Sequence, residues 1–209
     1  MSMICRTSGY FLSIFMLSTP ALPQTSGRFE EAKRSGMSLL QGEQFDKAAG
    51  RLEEVWEQDQ SDPSVGEALS VAYLNTEDRR GLPQSQKQAF AIIHSLVDSG
   101  RRVTFLVQHS HEKLGWLQGR ELNQYCRGRL LIEPARLTFV SEKGEKASQH
   151  TFEANWDDVK AITLNEVDTR GTFQLKLGTG NYFMATRNRN RDEAREIVGL
   201  IQKHLTATH

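Results

Sequence analysis

The sequence has no excess of either charge. Its 26 basic and 26 acidic side chains cancel, so no long-range field draws the chain to nucleic acid or to an anionic membrane surface, and any partner must be recognised locally. Its basic residues are dispersed and no aromatic-basic ribonucleoprotein motif occurs, which removes nucleic acid from the expected partners. It also lacks an apolar run long enough to span a bilayer, because Tyr10 to Leu17 falls far short of the roughly 20 residues that a transmembrane helix needs. Only two cysteines occur, Cys5 and Cys126. No stretch sets a nucleophile beside its base, a metal triad or a phosphate loop where chemistry would need one. An interaction protein is therefore expected, not an enzyme, and no cofactor is expected.

The amino terminus reads as a secretory signal. Arg6 lies in a polar start, Tyr10 to Leu17 is a short apolar run, and Thr19-Pro20-Ala21 offers the small residues that a signal peptidase reads. Residues 1–24 are assigned to it, with removal near Ala21 and a periplasmic or secreted destination. Cys5 precedes the apolar run, a poor position for a lipoprotein anchor. The mature chain would keep Cys126 alone and could form no internal disulfide. With 209 residues the chain has room for one ordinary domain or two small ones. The residue patterns favour two, a helical half over 25–100 and a strand-rich half over 101–209.

In the helical half, Phe29, Ala32, Gly36, Leu39 and Leu40 share one helix face, and Phe45, Ala48, Ala49, Leu52, Val55 and Trp56 share the next, with Gly42 in the turn between. Asp62-Pro63 starts a third helix with Val65, Ala68, Leu69, Ala72 and Tyr73 inward. A fourth follows Gly81-Leu82-Pro83, carries Ala89, Ile92, Ile93, Leu96 and Val97, and stops at Ser99-Gly100. An echo at about 34 residues runs from Gly36, Leu39 and Ala48 to Ser70, Tyr73 and Ala89. On these positions, and on Gly42, Phe45 and Leu52, the stretch resembles the tetratricopeptide family. It departs from that family in a long link between the third and fourth helices, and in lacking the proline usual after the second. The resemblance implies antiparallel helix pairs that bind a protein or peptide in a concave groove, here through Gln44, Lys47, Arg51 and Tyr73. The alternative is that the array serves as a docking scaffold for the second half of the chain.

From Val103 onward a period of two dominates. Val103, Phe105 and Val107 alternate, as do Leu130 with Ile132 and Leu137 with Phe139. Further strands are expected over 151–155, 159–164, 172–177 and 181–186, with turn chemistry at Glu142-Lys143-Gly144 and Gly178-Thr179-Gly180-Asn181. The period then switches, and Ala194, Ile197, Val198, Ile201 and Leu205 form a helical stripe. Asp192 and Glu193 stand in the first turn of this helix and Lys203 and His204 in the last, as the helix dipole prefers. Seven strands and one closing helix, with Cys126 to Phe139 and Trp156-Asp157-Asp158-Val159, resemble the pleckstrin-homology superfold and its GRAM-like relatives. The final helix lacks the tryptophan typical of eukaryotic members. The resemblance implies an α+β chain whose seven-stranded barrel is capped by a carboxy-terminal helix.

Three constellations offer themselves in this half. Lys113, Arg127 and Arg129 have the spacing of basic residues with which some pleckstrin-homology domains hold phosphates, so a lipid headgroup or phosphate ligand is the second functional reading; a solvated strand face is the plainer one. His109, Cys126 and His150 share parity with inward strand residues, and with His111 they make a conceivable zinc set, although the spacing matches no standard finger or ribbon. Trp116 is either a partner anchor or a plug against the helical repeats.

Overall fold

A computed structural model describes residues 25–76, 82–110, 125–142, 151–167 and 169–207. The expected signal segment lies outside these residues, as do Gly81 and the turn at Lys143-Gly144. Four helices open the chain: α1 Thr25–Gln41, α2 Phe45–Trp56, α3 Pro63–Asn75 and α4 Leu82–Asp98. The sequence signals explain their ends. Asp62 caps α3, its carboxylate accepting from the amides of Ser64 at 2.9 Å and Val65 at 3.4 Å, and Pro63 occupies a position that has no intrahelical donor to lose. Gly100 stops α4 with φ +66°, while Arg101 N–H reaches back to the Leu96 carbonyl at 2.8 Å. After α1 the left-handed residue is Glu43 (φ 58°) and not Gly42, because the Gly42 amide still bonds to the Ser38 carbonyl and the helix closes one residue later than the glycine suggests.

Consecutive helices pack on one another, and small residues let them approach. A Cβ on Gly36 would lie 2.8 Å from Leu52, and one on Gly66 2.9 Å from the Trp56 ring. Helix α3 is buried on every side. Ala68, Leu69, Ser70 and Val71 are all buried, and four successive residues at 100° intervals cover its whole circumference. Its neighbours are α2, α4, α1 and the first strand of the following sheet.

The strand half forms one antiparallel seven-stranded sheet in the order β4-β3-β2-β1-β7-β6-β5. Its strands are β1 Val103–Ser110, β2 Tyr125–Ile132, β3 Arg136–Ser141, β4 Phe152–Asn155, β5 Val159–Leu164, β6 Thr172–Leu177 and β7 Gly180–Thr186. Helix α5, Arg191–Ala207, follows and packs across β5, β6 and β7 through the fully buried Ala194, Ile197 and Ile201. This is the expected α+β order, seven antiparallel strands followed by one closing helix. The ladder ends at β4 and β5, and the 3-10 turn Trp156–Asp158 carries the chain from one end to the other. Trp156 fixes that crossing: its indole N–H lies within bonding distance of the carbonyls of Glu133 (3.2 Å) and Pro134 (3.0 Å), and its ring stacks on His204 at 4.3 Å. The apolar cores of helices and sheet are continuous, from Leu52 and Leu69 through Phe105 and Phe139 to Ile201.

Candidate functional site

Where the two halves meet, Glu67 of α3 is the central polar group. Its carboxylate accepts two bonds from the Arg102 guanidinium, both at 2.9 Å, and one from the Thr104 hydroxyl at 2.5 Å. The bond from Glu67 raises the Arg102 pKa against the opposing effect of burial. Farther along, the Asn188 side-chain amide donates to the Leu74 carbonyl at 2.9 Å, and Gln86 of α4 donates to Asn190 at 3.2 Å. Sequence reasoning gave Glu67 no role. The signal was present, because it is the one charged side chain among the apolar and small residues from Val65 to Tyr73.

Of the residues expected to line a helical groove, Gln44, Lys47 and Arg51 share one exposed surface and Tyr73 does not join them. Lys47 donates to Gln44 at 3.0 Å and Arg51 pairs with Glu54 at 3.2 Å, all on the exposed outer face of α2. Tyr73 is buried and its hydroxyl donates to Glu53 at 2.5 Å; burial first, then that bond, holds its proton well above the ordinary phenol range. Tyr73 is thus a packing residue between α2 and α3. Trp116 lies outside the described residues.

Of the basic set, Lys113 also lies outside the described residues. Arg127 and Arg129 are exposed on one face of β2. Their neighbourhood is not purely basic. Glu43, in its left-handed turn, pairs with Arg187 of the loop after β7, and the Arg187 guanidinium also lies 5.3 Å from the Phe45 ring. The Glu43 carboxyl is held below the ordinary range by the bond from Arg187, with the charges of Arg187 and Arg127 acting the same way against burial. Glu43, in the turn before α2, therefore lies within charge range of Arg127 on β2. Two constellations that look separate in the sequence converge on one seam around Glu43.

The His/Cys pair is a cross-strand pair, as parity required: His109 is opposite Cys126 in the β1–β2 register, with Sγ 3.7 Å from Nδ1. The His109 ring centroid lies 5.4 Å from that of Tyr182 and 5.9 Å from that of Phe139. Burial pushes the Cys126 thiol up, away from the thiolate that a nucleophile or metal ligand requires. His111 and His150 lie outside the described residues, and among the described residues no group of three metal-ligating side chains gathers.

Glu193 departs from expectation most. Its place in the first turn of α5 led to a solvated dipole partner; in the fold it is buried, 1% exposed, and its Oε1 has no hydrogen-bond partner. Desolvation alone pushes its carboxyl up to about 8.

No protein-family model matches the chain, and no curated protein matches it in sequence. Among solved structures, the N-terminal PH domain of human ARAP2 is similar with a TM-score of 0.39 and 7% identity, over 53% of this chain and 84% of that one. The linker-DH/PH domains of p115-RhoGEF give a TM-score of 0.40 at 10% identity, over 86% of this chain and 68% of that one. The C-terminal domain of an unknown protein from Leishmania infantum gives 0.35 at 20%, over 55% and 95%. Likenesses this distant leave the strand order and the seam as the basis for a functional reading.

Proposed function

We propose that the chain is a non-catalytic adaptor in which a tetratricopeptide-like helical array braces a pleckstrin-homology-like sheet, and in which the seam between them binds an acidic segment of a partner protein. The observation that supports this reading is the convergence on Glu43: Arg187 after β7 pairs with its carboxylate, and the charge of Arg127 on β2 acts on the same group. Such a seam offers guanidinium forks to incoming carboxylates, with Glu43 as the acid they displace. A free helical groove is less well supported, because α3, which would line it, is covered on one side by β1. Export belongs to the same proposal and rests on Tyr10 to Leu17; sequencing the amino terminus of the mature protein tests it.

The test places a photocrosslinking residue at Lys47 and, as a control, at Gln58 on the far end of α2. A partner crosslinked from position 47, absent from position 58 and lost in Arg127→Glu/Arg129→Glu, supports the seam. Equal crosslinking from both positions would sink it. Salt-sensitive binding of the unmodified protein to phosphatidylserine vesicles, lost in the double variant, would favour the lipid-headgroup reading instead.

A further inference from the structure

We propose that the contact between α4 and α5 is a pH-operated latch, closed while the buried, unpartnered Glu193 carboxyl is protonated and released as that carboxyl ionises. The placement of Glu193 carries the inference. Three residues before it, Asn190 accepts from Gln86 of α4 at 3.2 Å; three residues after it, Glu196 meets His94 of α4 at 3.0 Å; and Lys203 meets Asp98 at 3.2 Å. Residues three apart share a helix face, so Glu193 lies on the side of α5 that meets α4, in line with the buried Leu200. The polar contacts form the rim of this seam, and Glu193 lies inside it with Oε1 unpartnered.

Among the described residues no charge compensates it. On α4, His94 and Asp98 are taken by Glu196 and Lys203, and Lys87 is exposed. On α5 itself, Arg191 pairs with Glu166 and Asp192 with Arg195. Beneath α5, Lys160 of β5 donates to the Asp157 carbonyl, Lys176 of β6 is exposed, and the turn adds only acids, Asp157 and Asp158. Burial is the sole cause of the raised Glu193 pKa.

A carboxyl that is neutral in the closed seam and ionised in water ties opening to pH. With 4.5 as its ordinary value and about 8 in the fold, the closed state is fully favoured below pH 4.5. The opening equilibrium then grows about tenfold per pH unit and levels off above about 8.

Hydrogen exchange on the full chain between pH 5 and 9, corrected for intrinsic rates, tests the latch. Protection of α4 and α5 amides should fall about tenfold per unit between pH 5 and 8 and then flatten, whereas Glu193→Gln should stay level across the range. Flat protection in the unmodified protein, or the same decline in Glu193→Gln, overturns the latch. If the variant does not fold, titrating the Glu193 carboxyl carbon by NMR in the unmodified protein decides: a midpoint near 8 supports the latch, and one in the ordinary carboxylate range refutes it.

Discussion

Replacing Glu67 tests how the helical array is held on the sheet. The carboxylate is 18% exposed and the Arg102 guanidinium 48%, so the pair is neither a solvated surface bridge nor a buried one. Exposed pairs contribute about 0–1 kcal/mol and desolvated hydrogen bonds to charged groups about 1.5–3 kcal/mol. An intermediate coupling of about 1 kcal/mol between Glu67 and Arg102 follows. Glu67→Ala also strands the hydroxyl of Thr104, a residue only 7% exposed, and removes packing from a helix buried all round. Its total cost should be about 2–3 kcal/mol. Arg102→Ala should cost less, about 1 kcal/mol, because about half of its side chain is in water. Urea unfolding of the two single variants and the double variant at pH 7 gives the coupling as a double-mutant cycle. A coupling below about 0.3 kcal/mol, or a Glu67→Ala midpoint equal to that of the unmodified protein, would show that α3 is not held to β1 by this carboxylate.

Other substitutions and conditions probe separate links. At Gly128 a Cβ would lie 2.4 Å from the Phe139 ring and 2.6 Å from the Val140 carbonyl oxygen, so Gly128→Ala should lose about 3 kcal/mol by urea unfolding. At Gly36 the obstacle is the Leu52 side chain at 2.8 Å, which can shift, and alanine gains helix propensity; the expected loss there is about 1 kcal/mol. Burial works to raise the Asp62 carboxyl, but bonds from Lys33 and Ser64 overcome it and hold the group at about 2. A lowered acid stabilises above its ordinary value of 3.8 and loses that contribution as the pH falls towards 2. Acid titration of stability should therefore show a fall of about 2 kcal/mol in that window, absent in Asp62→Asn. Glu43→Gly removes a left-handed strain of about 1 kcal/mol but also the Arg187 pair; thermal melting in high salt, where the pair is screened, should show the variant as the more stable.

The helices and strands were legible wherever a local rule decides them. The Asp62-Pro63 start, the Gly100 stop and the alternation of β2 and β3 all depend on neighbours within a few residues, and each appears in the fold as read, whereas β1, read as alternating, is buried on both faces. Parity also placed His109 opposite Cys126, because an antiparallel pair fixes which residues face each other once both strands are known. What escaped depended on a second packing surface. Asp192 and Glu193 look alike in a first turn, yet Asp192 is exposed while Glu193, between side chains that reach α4, is buried. Tyr73 looked available because one apolar stripe was assigned to α3; the helix is in fact covered all round, and its tyrosine became a partner for Glu53. The seam at Glu43 escaped because it joins residues 84 apart, Glu43 and Arg127, through a fold that neither local sequence specifies.

Two of the contacts that join the helical array to the strand half differ in how their carboxyl groups are partnered, and this decides how the molecule would open. At α3–β1 the Glu67 carboxylate has Arg102 and Thr104 as partners. At α4–α5 the Glu193 carboxyl has no such partner, so a rise in pH weakens that contact. The loop before α5 is held independently of both. The Thr186 hydroxyl oxygen accepts from the Asn190 amide at 2.7 Å and Asn188 is bonded to Leu74, so the start of α5 stays tied to α3. Opening would therefore begin between α4 and the body of α5 and pivot on the α3–β1 side, leaving the Glu43–Arg187 seam intact. Binding of an acidic partner at that seam should then be insensitive to Glu193→Gln, and a partner affinity that follows the latch would mean that the seam and the latch are one device.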